Sequence, residues 1–190
     1  HGTPKKENII FVGGVHGVGK NYFVEKISAD IKEKVNVLTC SEVMKWNNES
    51  KEIVDVVENQ KLLIFNLRDL IEEEKKYFLV GHYCLVNKHK CIERIPLDTF
   101  RSINPKSLII INDNSEEIVK RLEKRGNEDN WNIDVIDKLI EEENLYAEKI
   151  SKELDIPLHK YKLRDLDYNK VKDLSEEEII AKVAAPSWKN

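Results

Sequence analysis

The stretch from residue 8 to residue 21, NIIFVGGVHGVGKN, limits what this chain can fold into more than any other part of it. Asn8 to Val12 is a short apolar run rich in β-branched residues, too short for a helix and interrupted by Gly13-Gly14. It reads as a buried strand feeding a tight loop, with a helix opening at Lys20. From Gly14 the spacing fits G-x-x-x-x-G-K-[ST] at every defined position except the last, where Asn21 stands. Gly14, Gly17 and Gly19 let the backbone turn sharply and bring its N–H groups against phosphate oxygens, an approach that a Cβ would obstruct. Lys20 adds a cation at a helix N-terminus, where the dipole also favours negative charge.

The ligand implied by this chemistry is a nucleotide, with ATP as the working expectation. The residues expected to hold it are Gly14, Val15, His16, Gly17, Val18, Gly19, Lys20, Asn21 and Tyr22. His16 is either close to the phosphates or a surface side chain. Asn21 occupies the position where a hydroxyl normally meets Mg²⁺; its amide oxygen is a neutral alternative ligand with a longer reach.

The 190 residues accommodate one domain with a full core, taken as 1–190. No apolar stretch approaches the length of a membrane span, and no leader pattern opens the chain, so a cytoplasmic protein is expected. A net charge of −4 with both signs interspersed gives no nucleic-acid footprint. Cys40, Cys84 and Cys91 do not make a disulfide framework of the secreted kind. Oligomeric state is left open.

Periodicity then assigns a helix over 22–34, a strand over 35–40 and a short helix from about Glu42, capped by Thr39 or Ser41. A long amphipathic helix is expected over 50–76, and YFLVGHYCL (77–85) reads as a central parallel strand. Asn87-Lys88 suggests a tight turn with 89–95 returning as a hairpin arm, followed by a short helix ended by Asn104-Pro105. SLIIIN (107–112) is a further strand, 116–124 a helix stopping at Gly126, 133–154 a helix, 156–163 a fifth strand, and a last helix opens at Ser175. Polar residues 125–132 are a candidate short lid. Strands alternating with helices predict an α/β fold with a five-stranded parallel sheet and helices on both faces.

In order and spacing these segments resemble the nucleoside monophosphate kinases, and among them the archaeal-type adenylate kinases. GGVHGVGK resembles that group's phosphate loop, CSEVMKW its acceptor-side helix, ENQKLLIFNLRDLI its long glutamine-bearing helix and YFLVGH its third strand with a closing histidine. INPKSLIIINDNSEEIVKRLEKR resembles the fourth strand and the arginine-bearing helix after it. The resemblance implies a three-layer P-loop NTPase fold and phosphoryl transfer from ATP and Mg²⁺ to a nucleoside monophosphate under a helical insert at 41–76. It implies Lys20, Arg121 and Arg125 as catalytic residues, Glu42, Met44, Trp46, Gln60 and His82 on the acceptor side, and Asn21 toward the metal. Arg121 and Arg125, four apart on one helix face, are expected to point at the same phosphates.

Two positions depart from that pattern. One is Asn21; the other is Val80, which stands where the family has an acidic residue near the metal's water shell. Asp113 is either a substitute for that acid or a turn residue. A nucleotide-binding regulatory protein with little catalysis, and a kinase for another small acceptor, are the alternatives. Separately, His82-x-Cys84 and His89-x-Cys91 flank the expected turn. With a two-residue loop Cys84 would face Cys91, admitting zinc, a disulfide or simply packed thiols.

Overall fold

The computed structural model describes residues 8–30, 35–46, 56–87, 89–126 and 131–163. The helix expected from Ser175, half of the proposed lid (127–130), the 31–34 end of the first expected helix and the first part of the 50–76 helix lie outside these residues. Seven strands and six helices follow in chain order: β1 Ile9–Gly13, α1 Lys20–Asp30, β2 Val35–Thr39, α2 Cys40–Lys45, α3 Val56–Leu70, β3 Lys76–Gly81, β4 Cys84–Val86, β5 Ile92–Arg94, α4 Leu97–Ile103, β6 Ser107–Asn112, α5 Ser115–Lys124, α6 Ile133–Leu154 and β7 Leu158–Lys162.

Five strands form one parallel sheet in the order β2-β3-β1-β6-β7, flanked by helices, as in P-loop NTPases. β1 lies at the centre, with Val12 beside Val80 on one neighbour and Ile109 on the other. All five β1 residues are buried, which is why its sequence is continuously apolar and not alternating. The order reverses beside β1, so its carboxyl end opens into the crevice where doubly wound sheets place ligands. Gly13 at that end is required by packing: a Cβ there would sit 2.3 Å from the Tyr83 ring, whose hydroxyl donates to Ile109 O at 2.8 Å.

Three sequence expectations are corrected. The strand expected over 77–85 stops at Gly81, because the N–H groups of Tyr83 and Cys84 turn away from the sheet and donate to Glu143 Oε2. Tyr83 and Cys84 are apolar in character because they are buried, not because they continue the strand. The hairpin loop is longer than two residues: Cys84 pairs with Arg94 and Val86 with Ile92. Asn87 sets this length, its Oδ1 accepting from the N–H groups of His89 and Cys91. Cys84 therefore does not face Cys91. All three cysteines are free, and no cluster of three metal-ligating side chains occurs among the described residues.

The long helix ends at Leu70, short of Lys76. Continuing it would set Glu72, Glu73 and Glu74 against the negative end of the helix dipole; instead the Glu72 N–H donates to Tyr77 Oη at 3.0 Å. The first helix runs from Lys20 to Asp30, opening at Lys20 as the glycine-rich loop requires. Of the two candidate caps for α2, Thr39 is the one used, in a reciprocal capping box with Glu42. Buried Asn66 on α3 then donates to Val43 O at 2.8 Å and Trp46 O at 3.2 Å, adding to the Trp46 N–H bond that Val43 O already accepts and fixing the two helices together. No helix among the described residues is long and apolar enough to cross a membrane.

Candidate functional site

The glycine-rich loop leaves β1 at Gly13 and enters α1 at Lys20. Gly17 has φ +78, a left-handed conformation that L side chains avoid. A Cβ there would also press on Leu122 Cγ at 3.0 Å, so the loop lies directly against α5. The Lys20 ammonium folds onto its own loop, donating to Gly14 O at 2.7 Å and Val15 O at 3.0 Å. Burial lowers its pKa to about 8, with Glu143 pulling the other way. A partly desolvated ammonium held by two carbonyls gains strongly from an anion placed beside it.

His82 follows β3 and closes the loop from the other side, its Nδ1–H donating to Gly14 O at 2.8 Å. That bond leaves Nε2 as the unprotonated acceptor. Burial, then the Lys20 and His16 charges, hold the imidazole well below its usual range and therefore neutral. His16 is exposed, with its ring 4.2 Å from that of His82 and 5.9 Å from Trp131.

A cavity of about 870 Å³ runs from this loop toward α2, α3, β4, β5 and α4. His16, Gly17, Gly19, Lys20, Asn21, Tyr22 and Arg125 line it on the loop side, and Met44, Gln60 and His82 on the other. Gly14, Val15 and Val18 lie behind the lining; Val15 and Val18 belong to the hydrophobic core. Glu42 and Trp46 are also outside the lining. The Glu42 carboxylate is engaged in the α2 cap, and the Trp46 carbonyl in the bond from Asn66.

The two arginines have different surroundings. Arg125 ends α5 and lines the cavity. Arg121 sits behind the loop: Nη1 donates to Gly17 O at 3.1 Å and Val18 O at 3.2 Å, and Nη2 to Asp113 Oδ2 at 2.6 Å. The structure therefore does not bring both guanidinium groups to one place. Asp113 has the turn role as well, its Oδ1 accepting from the Asn114 N–H at 2.9 Å.

Glu143 was not foreseen. It sits on α6 inside the run Glu141-Glu142-Glu143-Asn144, which reads as a solvated face, yet it is 1% exposed. Its Oε2 accepts from the N–H groups of Tyr83 and Cys84, the turn that carries His82, while Oε1 has no partner. Burial raises its pKa to about 7, against those two hydrogen bonds and the Lys20 charge. The usable signal was spacing: Ile136, Leu139, Tyr146, Ala147 and Ile150 form the buried stripe of α6, and position 143 falls on it.

Mg²⁺ is compatible with this arrangement as an ion carried by a nucleotide. It keeps most of its waters, takes phosphate oxygens and needs few protein ligands. Among the described residues, the amide of Asn21 on the cavity wall is the neutral oxygen nearest in sequence to the Lys20 position.

A protein-family model described as an AAA domain matches residues 13–139. A search of curated proteins finds no match. Among solved structures, the chain is similar to shikimate kinase from Bacteroides thetaiotaomicron, with 14% identity, a TM-score of 0.50 and coverage of 80% of this chain and 85% of that one. It is also similar to a sugar kinase from Janibacter sp. HTCC2649 in an unliganded structure, with 13% identity, a TM-score of 0.49 and coverage of 95% and 96%. At these identities the likeness concerns the fold alone.

Proposed function

Because the chain belongs to the AAA domain family, we propose that it transfers a phosphoryl group from ATP to a small acceptor bound in the cavity beside the loop. One observation carries this reading: the loop cation Lys20 and the acceptor-side residues Met44, Gln60 and His82 line a single continuous cavity. The donor phosphates would lie on the loop amides and Lys20, with Arg125 facing the transferring group and Asn21 toward a nucleotide-borne Mg²⁺. Such a site acts by positioning and charge stabilisation, since the loose transition state asks for no covalent help. His82 Nε2, neutral and unprotonated, is suited to accept a hydrogen bond from an acceptor hydroxyl. An adenylate-kinase-like acceptor, AMP, is the narrower form of the proposal and rests on the order of motifs.

A second reading, nucleotide binding with weak turnover, is favoured by Val80, an apolar residue that lines the cavity where an acidic one would serve chemistry. The two are separated by measuring ADP formation from ATP and Mg²⁺ with and without candidate acceptors, using Lys20→Ala as the control. Acceptor-dependent ADP formation lost in the variant supports transfer. ATP binding without it, weakened by the same substitution, supports the binding-only reading.

A further inference from the structure

Among the described residues, the wall of the cavity away from the loop carries no lysine or arginine; its ionisable side chains are Glu93 and the exposed His89, with two thiol- or hydroxyl-bearing residues, Cys40 and Ser41, near α2. Met44, Leu85 and Val86 line it with apolar surface, Gln60 and Thr99 supply neutral polar groups, and Glu93 supplies a carboxylate. The lysine and arginine that line the cavity among the described residues, Lys20 and Arg125, both belong to the loop side, where the donor's phosphates need them. Resting on the phosphotransfer reading above and replacing its narrower AMP form, we propose that the acceptor is an uncharged, hydroxyl-bearing compound with an apolar body, and not a phosphorylated one.

The argument is one of desolvation. Among the described residues, a phosphate monoester brought against this wall would leave water with no lysine or arginine to pair with and only the exposed imidazole of His89 on that side, a strongly opposed step. Glu93 would repel it further. A neutral alcohol meets none of these penalties, because its body covers apolar surface while its hydroxyls donate to a carboxylate or an amide oxygen. The step is balanced without further reactants. The acceptor oxygen bonds to the γ-phosphorus, the bond from that phosphorus to the bridging oxygen breaks, ADP leaves with the electron pair, and the hydroxyl proton is released to solvent.

The test is calorimetric titration of the full chain, saturated with a non-hydrolysable ATP analogue, using matched pairs that differ only in the phosphate. Common ribonucleosides and 2′-deoxyribonucleosides are each compared with their 5′-monophosphates. At least one neutral member should bind about tenfold or more tighter than its phosphorylated partner. Glu93→Gln should narrow the gap by strengthening monophosphate binding. Monophosphates binding as tightly as their nucleosides, or no neutral member binding, overturns the assignment. ADP release, measured in parallel with ATP and Mg²⁺ in place of the analogue, keeps the two proposals apart. Neutral binding without ADP release removes phosphotransfer and leaves the ligand class standing; release with monophosphates alone does the reverse.

Discussion

The Arg121 guanidinium ties Asp113, just past β6, to the carbonyls of Gly17 and Val18 in the glycine-rich loop, so one side chain fixes the loop's rear surface to the sheet. The Asp113 side chain is 4% exposed and that of Arg121 33%, so removing the cation takes the charged partner of Oδ2 from a carboxylate that water reaches poorly. Arg121→Ala should therefore destabilise the fold by about 2 kcal/mol, in the range for a lost hydrogen bond to a charged group. Nucleotide affinity should fall as the loop loosens. Arg125→Ala, at an exposed position lining the cavity, should leave stability unchanged and lower turnover. Thermal denaturation of both variants, with and without ATP, checks the pair; equal melting temperatures would refute the distinction.

Glu143 gives stability an unusual pH dependence. Its carboxyl ordinarily titrates near 4.5 and in the fold near 7, so between those values the native state holds a proton that the unfolded chain has released. Stability from this group is then lost as pH rises through that window. Glu143→Gln keeps an oxygen for the Tyr83 and Cys84 N–H groups and removes the buried charge. The variant should match wild type at pH 5 and exceed it in urea midpoint at pH 8. A constant difference across that range would contradict the assignment.

The inner strands β3, β1 and β6 were legible because they are buried and read as nearly unbroken apolar runs, and the loop because its glycines have a chemical purpose. The end of β3 was not, since Tyr83 and Cys84 extend the apolar run for reasons of core packing while their N–H groups bond to a carboxylate 60 and 59 residues away. Asn87 shows the same limit locally: its side chain closes the hairpin loop, and a two-residue turn was equally consistent with the sequence. Arg121 and Arg125 share a helix face by spacing, yet one reaches behind the loop because Asp113 waits there. Spacing gives a direction; the partner decides the role.

Lys20 links nucleotide affinity to pH. Its ammonium ordinarily titrates at 10.5, and burial lowers this to about 8 in the free protein. Above pH 8 the free site loses the cation that phosphates require, so binding must recover a proton, and affinity should fall by up to about tenfold per pH unit. The unliganded fold should gain stability over the same interval, because there the unfolded chain holds the proton that the native state has lost. Calorimetry of ATP binding at pH 8.5 in buffers of different ionisation enthalpy should show net proton uptake. A pH-independent affinity between 7.5 and 9.5 would remove the linkage.

Two glycines separate backbone strain from the site's own demands. Gly17 at φ +78 and Gly126 at φ +66 both hold left-handed backbone, so alanine at either costs about 1–2 kcal/mol from that source. Their surroundings differ. Among the described residues, a Cβ at Gly126 meets nothing within 4 Å, whereas one at Gly17 meets Leu122 Cγ at 3.0 Å and Ile118 O at 3.4 Å. Gly17→Ala should consequently lose more stability than Gly126→Ala, because α5 must give way or the loop must lift. A lifted loop also misplaces the amides that face phosphate. ATP binding, followed by the shift in melting temperature with added nucleotide, should then be lost in Gly17→Ala and retained in Gly126→Ala. Equal retention in both would mean that the loop backbone does not hold the phosphates.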